Sequence, residues 1–301
     1  MLSFKPIEIT DKEIITSYTF RSHYLNCDYS FANMCSWSFL YKSEYAVADN
    51  YLIIRFFVGE NGDYRRVYMQ SVGEGDLPRL ISLLENDASD GGFPLWILGV
   101  TPDAKNELEN AAPGQFKFVH EKDFSDYIYL RTDLAELKGK KYQSKRNHIN
   151  KFKSLYDYEY IPITPDLVPR CLELESLWFR ANRTDNDADD LQHEKRSMVY
   201  ALNHYDELGL SGGAIVVGGE IIAFTYGSPI NNKAFGVHVE KADVNFEGIF
   251  SLINQEFAKR IPERYIFVNR EEDLGIAGLR QAKQSYHPTI LLEKYTALKK
   301  S

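Results

Sequence analysis

The sequence predicts an α+β fold with mixed sheets, built as two consecutive halves. The chain has 301 residues, about twice the length of a common domain. Helix-like and strand-like segments follow one another in a similar order in both halves. The Gly218-Gly219 pair joins two apolar runs, which is typical of a β-hairpin and therefore of antiparallel pairing. We place the boundary so that residues 1–132 and 133–301 form the two domains.

In residues 1–132 the patterns predict a helix, three strands, a second helix, a strand, a third helix and two short strands. Asp76 precedes a helical apolar pattern with Pro78 in its first turn, which is typical of a helix start. Asn61-Gly62-Asp63 separates two strand-like runs and predicts a hairpin turn. The predicted helices are 11–20, 76–86 and 102–110, and the predicted strands are 45–48, 51–57, 64–70, 95–100, 116–119 and 127–131.

In residues 133–301 a long basic helix leads to a strand, two helices, three strands, and then alternating helices and strands. The apolar residues Ile249, Leu252, Ile253 and Phe257 follow helical spacing. The predicted helices are 140–155, 167–180, 189–205, 246–257 and 276–284, and the predicted strands are 158–163, 213–217, 220–226, 233–240, 265–268 and 289–295.

The composition excludes several classes of protein. Apolar residues make up 44% and charged residues 26% of the chain, which excludes a disordered chain, a collagen and a small disulfide scaffold. No apolar run approaches the roughly 18 residues of a membrane helix, and residues 1–13 lack a signal-peptide core. The three cysteines show no C-x-x-C spacing. We therefore expect reduced thiols, a cytoplasmic location and no membrane segment.

The net charge of −8 hides a local basic stripe. Residues 138–153 hold seven basic residues and no acidic one. On a helix Lys141 and Lys145 share a face, as do Arg146 and Asn150, so a bound phosphate group would relieve their repulsion. The alternative is a solvated helix that pairs with acidic residues of the other domain.

A second candidate site is the polar cluster at residues 269–275, which follows an apolar strand and precedes a helix. Three carboxylates and one arginine at the end of a strand can bind an ammonium group or act as a base. In the alternative interpretation, Asp273 is only a helix N-cap and Glu271 and Glu272 lie in solvent.

A third candidate is the strand, loop and helix start at residues 239–250, where Gly248 precedes the helix. Free backbone N–H groups at such a start bind anions, although an ordinary helix start shows the same pattern. No histidine pair has metal-ligand spacing, and the acidic run at residues 185–196 lacks the glycine and the final glutamate of a calcium loop. We expect no metal site.

Two segments carry a resemblance to a known family. Gly139-Lys140-Lys141-Tyr142 with Arg146-Asn147-His148-Ile149-Asn150-Lys151-Phe152, and Asn269-Arg270-Glu271-Glu272-Asp273-Leu274-Gly275 through Pro288, resemble a bacterial family similar to the C-terminal domain of phosphatidylglycerol lysyltransferase. The resemblance implies two tandem GNAT-type acyltransferase folds, each a mixed, mainly antiparallel sheet flanked by helices, as in Fem-type aminoacyl transferases.

The sequence departs from the GNAT pattern at the loop that holds the coenzyme A pyrophosphate. Gly248 is kept, but Asn245 stands where the pattern has Gln or Arg, and the bulky Phe250 stands where it has a small residue. Close approach of a pyrophosphate is harder there, which favours aminoacyl-tRNA over acyl-coenzyme A as the donor.

These observations predict an acyl- or aminoacyl-transferase that acts on an amine or hydroxyl acceptor, on a small molecule or a peptide, with tRNA as a candidate partner. Glu271 or Asp273 would bind or deprotonate the amine, and backbone N–H groups near residues 239–241 would stabilise the oxyanion. The other candidate binding residues are Lys141, Tyr142, Lys145, Arg146, Asn150, Asn245, Gly248, Asn269, Arg270, Arg280 and Lys283. The alternatives are a coenzyme A-dependent N-acetyltransferase and a non-catalytic binding protein with the same fold.

Overall fold

A computed structural model describes residues 2–60, 63–182 and 188–300 of the chain. Within these ranges the chain forms fifteen strands and twelve α-helices. The strands are β1 Lys5–Pro6, β2 Glu44–Ala48, β3 Tyr51–Glu60, β4 Asp63–Met69, β5 Val72–Gly73, β6 Trp96–Val100, β7 Phe116–His120, β8 Asp126–Leu130, β9 Glu159–Pro162, β10 Ser211–Val217, β11 Glu220–Pro229, β12 Ala234–Ala242, β13 Phe267–Asn269, β14 Ile290–Leu292 and β15 Tyr295–Lys299. The helices are α1 Lys12–Thr19, α2 Phe31–Ser36, α3 Ser38–Tyr41, α4 Leu77–Asp90, α5 Pro102–Ala111, α6 Arg131–Glu136, α7 Gln143–Leu155, α8 Val168–Asn182, α9 Ala188–Asn203, α10 Tyr205–Leu208, α11 Ile249–Ala258 and α12 Ala277–Gln284.

The strands form two sheets with the same arrangement. The first sheet has the order β1-β2-β3-β4-β6-β15-β7, and β5 pairs with β3 beside this path. The second has the order β9-β10-β11-β12-β13-β8-β14. Each sheet contains one parallel pair, β4 with β6 and β12 with β13, whereas the other pairings are antiparallel. The two halves are therefore copies of one topology.

The two sheets exchange one strand each. Strand β15 lies between β6 and β7 of the first sheet, and β8 lies between β13 and β14 of the second. The sheets thus divide the chain near residues 121–126 and again near residue 294. The two-domain boundary predicted at residue 132 remains a prediction, and β8 lies on its N-terminal side although it belongs to the second sheet.

Three apolar clusters hold these layers together. One joins β3 and β11 of the two sheets through helices α1, α2, α8 and α9, so the halves share a common core. A second lies between the second sheet and helices α6, α7 and α11. The third lies between the first sheet and helices α4 and α5.

Local sequence explains several element ends. Asp76 caps α4 by accepting a hydrogen bond from the Arg79 backbone N–H at 3.0 Å, and Pro78 lies in the first turn. Gly218 and Gly219 both have positive φ, 59° and 88°, as a two-residue hairpin with this handedness requires. These two predictions of the sequence are confirmed.

The predicted fold class, a mixed α/β architecture with two sheets flanked by helices, is confirmed. One element was predicted wrongly: residues 289–295 form no single strand. The chain leaves β14 at Leu292, turns at Glu293 and Lys294, and enters β15 in the other sheet. Helices α2 and α3 were not predicted. Residues 61 and 62 of the predicted hairpin turn lie outside the described residues.

Candidate active site

The two parallel strands of the second sheet end at different points. β12 pairs with β13 as far as Gly236 and Asn269, where β13 ends, whereas β12 continues to Ala242. Just beyond this point β12 contains a β-bulge, because Tyr226 pairs with Val239 and Gly227 pairs with Val237, which leaves His238 as the extra residue. Bulges redirect side chains and are common beside active sites. We call the space beyond the end of β13, beside the continuing β12, the gap, and the gap together with this bulge defines the candidate site.

Glu271 lies at the edge of this gap, and its side chain contacts residues of both halves. Its Oε1 accepts hydrogen bonds from Asn33 Nδ2 of α2 and from His238 Nδ1, each at 2.8 Å. Burial raises the pKa of Glu271, but the hydrogen bonds from His238 and Asn33 outweigh it, so the pKa lies below its ordinary value. Among the described residues no donor reaches Oε2, and the side chain is 24% exposed. Glu271 is thus an ionised carboxylate with one oxygen free for a ligand.

His238 continues this contact to two buried serines. Its Nε2 lies 2.8 Å from Ser228 Oγ and 3.2 Å from Ser30 Oγ, and the two hydroxyl oxygens are 2.8 Å apart. Ser30 also caps α2, since its Oγ accepts from the Asn33 backbone N–H. The first half therefore supplies Ser30 and Asn33, whereas Glu271, His238 and Ser228 come from the second half.

Next to Glu271 lies a partly buried acidic well, formed by Asp28, Asp126 and Glu272 around Lys294. Lys294 Nζ is 2.9 Å from Asp28 Oδ2, 2.9 Å from Asp126 Oδ1 and 2.6 Å from Glu272 Oε1. Burial raises the pKa of both Asp28 and Glu272, although Lys294 opposes this. The ligand atoms of Cys27, Asp28 and Glu272 are close enough for a metal ion, but the Lys294 ammonium already lies among them.

The opposite face of the gap is cationic. The guanidinium of Arg270 pairs with Glu240 at 3.2 Å and lies over the ring of Tyr286. Lys145 Nζ lies over the same ring at 4.1 Å from its centroid and donates to Ser285 Oγ. Lys283 Nζ donates to the carbonyl oxygens of Arg270 and Glu272. Burial lowers the pKa of Lys145 and of Lys283, and the charge of Arg270 adds to the effect at both.

Asp273 does not join Glu271. It is 2% exposed, and Arg280 binds it with two nitrogens, Nε at 2.7 Å and a terminal nitrogen at 2.8 Å. Tyr127 donates its hydroxyl to the same carboxylate at 2.6 Å, and Asp123 accepts from Arg280 on the outer side. The Arg280 hydrogen bonds hold the pKa of Asp273 far below its ordinary value. Asp273 and Arg280 therefore form an ion pair that holds the loop in place.

The basic segment is largely occupied by protein contacts. Arg146 donates to the carbonyl oxygens of Leu137 and Gly139, which closes the turn before α7. Tyr142 is buried and donates to Asp133 or to the Tyr286 carbonyl. Asn150 is exposed. Four of the seven basic residues pair with carboxylates of the second half: Lys138, Lys141, Lys151 and Lys153.

Within the basic segment, Lys145 is the residue that lies close enough to Arg270 for the two positive charges to repel; burial lowers the pKa of Lys145, and this repulsion lowers it further. Asn269 lies below the gap, where its side chain donates to the Leu25 carbonyl and to Asp126. The structure thus brings together Glu271, Arg270, Lys145, Lys283 and Asn269 from the predicted set. It places Asp273, Arg280, Lys141, Arg146 and Asn150 in other surroundings, away from the free oxygen of Glu271.

The loop before α11 is closed rather than open. The Asn245 side chain bonds to Asp243. Gly248 has φ 91°, and a Cβ there would lie 2.5 Å from the His148 carbonyl oxygen, so helix α7 covers this glycine. Glu247 lies at the helix start, where Lys151 pairs with it and lowers its pKa. An acidic side chain and a covering helix disfavour a pyrophosphate at this position.

Sequence reasoning missed His238, Ser228, Ser30, Asn33 and Lys294. A helix-capping pattern was available at Ser30, since serine precedes the apolar Phe31 and its neighbours. A lone histidine within an apolar strand and a lone lysine between strands carry no comparable signal.

No helix in the described ranges is long and apolar enough to span a membrane.

The fold recurs in solved structures. A conserved protein of unknown function from Bacteroides thetaiotaomicron VPI-5482 is 49% identical, with a TM-score of 0.96 and full coverage of both chains. L-PGS from Bacillus licheniformis is 14% identical, with a TM-score of 0.67 over 99% of this chain and 93% of that one. FemX is 8% identical, with a TM-score of 0.61 over 98% and 96%. The last two similarities concern the fold alone.

The sequence is also similar to a second protein and to a known family. The uncharacterized protein MYCGA3080 of Mycoplasmoides gallisepticum is 23% identical over 180 residues, which are 60% of this chain and 57% of that protein, so the match spans little more than half of its length. The family model described as phosphatidylglycerol lysyltransferase, C-terminal, matches residues 20–298. The chain therefore belongs to the family of phosphatidylglycerol lysyltransferase C-terminal domains.

Proposed function

We propose that this protein transfers an acyl or aminoacyl group from an activated donor to an amine that is held at Glu271. The observation that carries the proposal is the free Oε2 of Glu271, an ionised carboxylate at the gap beyond the end of β13. An ionised, partly buried carboxylate binds an ammonium group more strongly than one in water. The family to which the chain belongs, that of phosphatidylglycerol lysyltransferase C-terminal domains, also supports a transferase function.

The two faces of the gap suit the two substrates. The acceptor amine approaches from the side where Glu271 contacts α2 of the first half and where the acidic well lies. The donor approaches from the side of α7 and α12, where Lys145 and Arg270 offer positive charge to a phosphate. The donor's carbonyl carbon then lies in the gap between them, next to the bulge at His238.

The reaction that this arrangement supports is acyl transfer. The acceptor must lose one proton from its ammonium form, which the Glu271 carboxylate takes up, before its nitrogen attacks the carbonyl carbon. As the new carbon–nitrogen bond forms, the bond from that carbon to the donor's leaving atom breaks, and the attacking nitrogen gives up a second proton, which the leaving atom takes up. Backbone N–H groups at residues 239–241 are the proposed donors to the oxyanion.

Aminoacyl-tRNA is the favoured donor over acyl-coenzyme A. The helix start that would receive a pyrophosphate carries Glu247, and Gly248 is covered by α7. Arg270 pairs with Glu240 through one terminal nitrogen, and its other terminal nitrogen has no hydrogen-bond partner among the described residues. This nitrogen and the ammonium of Lys145 are the proposed contacts for the 3′ end of a tRNA.

The test is a transfer assay on the purified protein, with charged tRNA and with acetyl-coenzyme A, and with small amines and peptides as acceptors. We expect turnover with charged tRNA and a loss of about 100-fold or more in Glu271→Gln. Glu263→Gln is the matched control, since that carboxylate is 93% exposed. Turnover with acetyl-coenzyme A alone would favour the N-acetyltransferase, and equal rates in both variants would exclude the role of Glu271.

A further inference from the structure

The contacts of His238 point to a function for two buried serines that the transfer reaction itself does not require. Ser228 and Ser30 are 2% and 0% exposed, so neither can attack a substrate. Both contact the same imidazole nitrogen, Nε2, and they contact one another. Together with Glu271, these hydroxyl groups can determine which imidazole nitrogen carries the proton.

The direction of the hydrogen bonds follows from counting protons. An ionised Glu271 only accepts, so the 2.8 Å contact requires a proton on His238 Nδ1. In a neutral ring Nε2 is then an acceptor, and one serine must donate to it. The remaining serine donates to the first, and the whole set is satisfied from Ser30 and Ser228 through His238 to Glu271.

The opposite direction leaves a hydrogen atom without an acceptor. With the proton on Nε2, both serines must turn away, and the last hydroxyl hydrogen has no acceptor among the described residues. The Nδ1 lone pair would then face the Glu271 carboxylate, which is repulsive. A buried donor without a partner is unfavourable, so the first direction is favoured.

We propose that His238 is a positioning residue for Glu271, and that Ser228 and Ser30 hold it in the tautomer protonated at Nδ1. The imidazole thereby fixes Oε1 of Glu271 and leaves Oε2 directed at the ligand. Asn33 fixes the same oxygen from the other side. Because Ser30 caps α2 and Asn33 lies within it, the first half controls the geometry of a carboxylate in the second.

This inference deepens the proposed function, and it rests on that function only for the catalytic benefit. The tautomer and the state of Glu271 are measurable without substrate. The other charged or titratable groups near Glu271 are Asp28 and Glu272 of the acidic well, Lys283 of α12 and Tyr226 of β11. None of them changes in the variants below.

The first experiment is ¹⁵N NMR of the histidine-labelled protein, with the His238 signals assigned by their loss in His238→Asn. We expect the neutral ring to be protonated at Nδ1. The Ser30→Ala/Ser228→Ala double variant should weaken this preference, which the Glu271 carboxylate continues to favour by accepting from Nδ1. A ring protonated at Nε2 in the unsubstituted protein would overturn the proposal.

The second experiment uses a matched pair of substitutions. The amide of His238→Asn reaches the position of Nδ1 and can still donate to Glu271, whereas that of His238→Gln reaches the position of Nε2 and cannot. By ¹³C NMR of the glutamate carboxyls, assigned with Glu271→Gln, we expect the Glu271 pKa to rise by about one unit or more in His238→Gln and by much less in His238→Asn. Equal pKa values in the two variants would contradict the proposal.

The third readout is the pH profile of transfer. In His238→Gln the acid limb of kcat/KM should move to higher pH together with the Glu271 pKa, and kcat/KM at neutral pH should fall about tenfold. If the NMR shifts occur but no donor supports transfer, the proposed function fails and the positioning role stands. If the acid limb stays in place while transfer occurs, the positioning role fails.

Discussion

The parallel strand pair occurs twice in this protein, and the two copies differ at their C-terminal ends. In the first half, β6 ends at Val100 and α5 begins two residues later. Thr101 caps that helix, and its backbone N–H donates to the Gln70 side chain at 2.9 Å. The preceding pair β3 and β4 aligns without a register shift. This end of the first sheet is therefore closed.

In the second half the same position is open and charged. Strand β13 is followed by Arg270, Glu271, Glu272 and Asp273 before α12 begins, and β12 carries the bulge at His238. Glu271 and Leu274 adopt positive φ, 60° and 51°, which is unusual for such side chains. The two halves thus share one topology but differ in two features, the longer loop after β13 and the extra residue in β12. These features distinguish the candidate active site of the second half from the closed end of the first.

The largest effect on stability is expected at Lys294, where the chain passes from β14 of the second sheet to β15 of the first. Lys294→Met leaves Asp28, Asp126 and Glu272 without their cation, so the free energy of unfolding should fall by about 3–5 kcal/mol in urea denaturation at pH 7.5. The deficit should shrink as the pH is lowered to about 5, because carboxyls with raised pKa bind protons more readily in the folded state. Lys300→Met, at an exposed lysine, is the control. A similar loss at Lys300 would contradict the prediction.

A smaller effect is expected at Asp273. Asp273→Asn removes the charge that Arg280 and Tyr127 bind, so we expect a loss of about 1.5–3 kcal/mol in stability. Because the pKa of Asp273 is lowered, the contribution is present above its unfolded value near 4 and is lost as the pH falls below it. The difference between variant and unsubstituted protein should thus close in acid.

The same variant tests the predicted catalytic role of Asp273. If the loop residues differ as their contacts indicate, Asp273→Asn should change transfer less than threefold at a temperature where it is folded, unlike Glu271→Gln. A loss of transfer rate comparable to that of Glu271→Gln would show that Asp273 takes part in the reaction.

The smallest effect is expected in the first half. Thr101→Ala removes the cap of α5 and should lower stability by about 1 kcal/mol without changing kcat/KM. The measurement is thermal unfolding beside the transfer assay. A loss of transfer here would show that the closed end also takes part in the reaction, and it would remove the distinction between the two halves.

Much of the fold could be predicted because it depends on local patterns. The hairpin at Gly218-Gly219, the cap at Asp76 and the helical spacing from Ile249 to Phe257 are each visible within a few residues. The exchange of strands could not be predicted this way. Residues 289–295 look continuous, and nothing local indicates that the chain changes sheets at Lys294.

The candidate site was predictable only in part for the same reason. The cluster around Glu271 is contiguous in sequence, so its polarity could be recognised. Its partners are Asn33, His238 and two serines that lie far apart in the chain, and the bulge that turns His238 toward them has no sequence marker. Charge alone also gave Asp273 the same weight as Glu271, although their partners differ.

The exchanged strands affect how the protein folds. Strand β15 pairs with β6 across a separation of about 200 residues, and such non-local pairing slows folding. During synthesis the first sheet cannot close until residues 295–299 leave the ribosome, so β6 and β7 stay unpaired along facing edges until then. Each half expressed separately would expose these edges and tend to aggregate, and the two halves should therefore unfold as one cooperative unit.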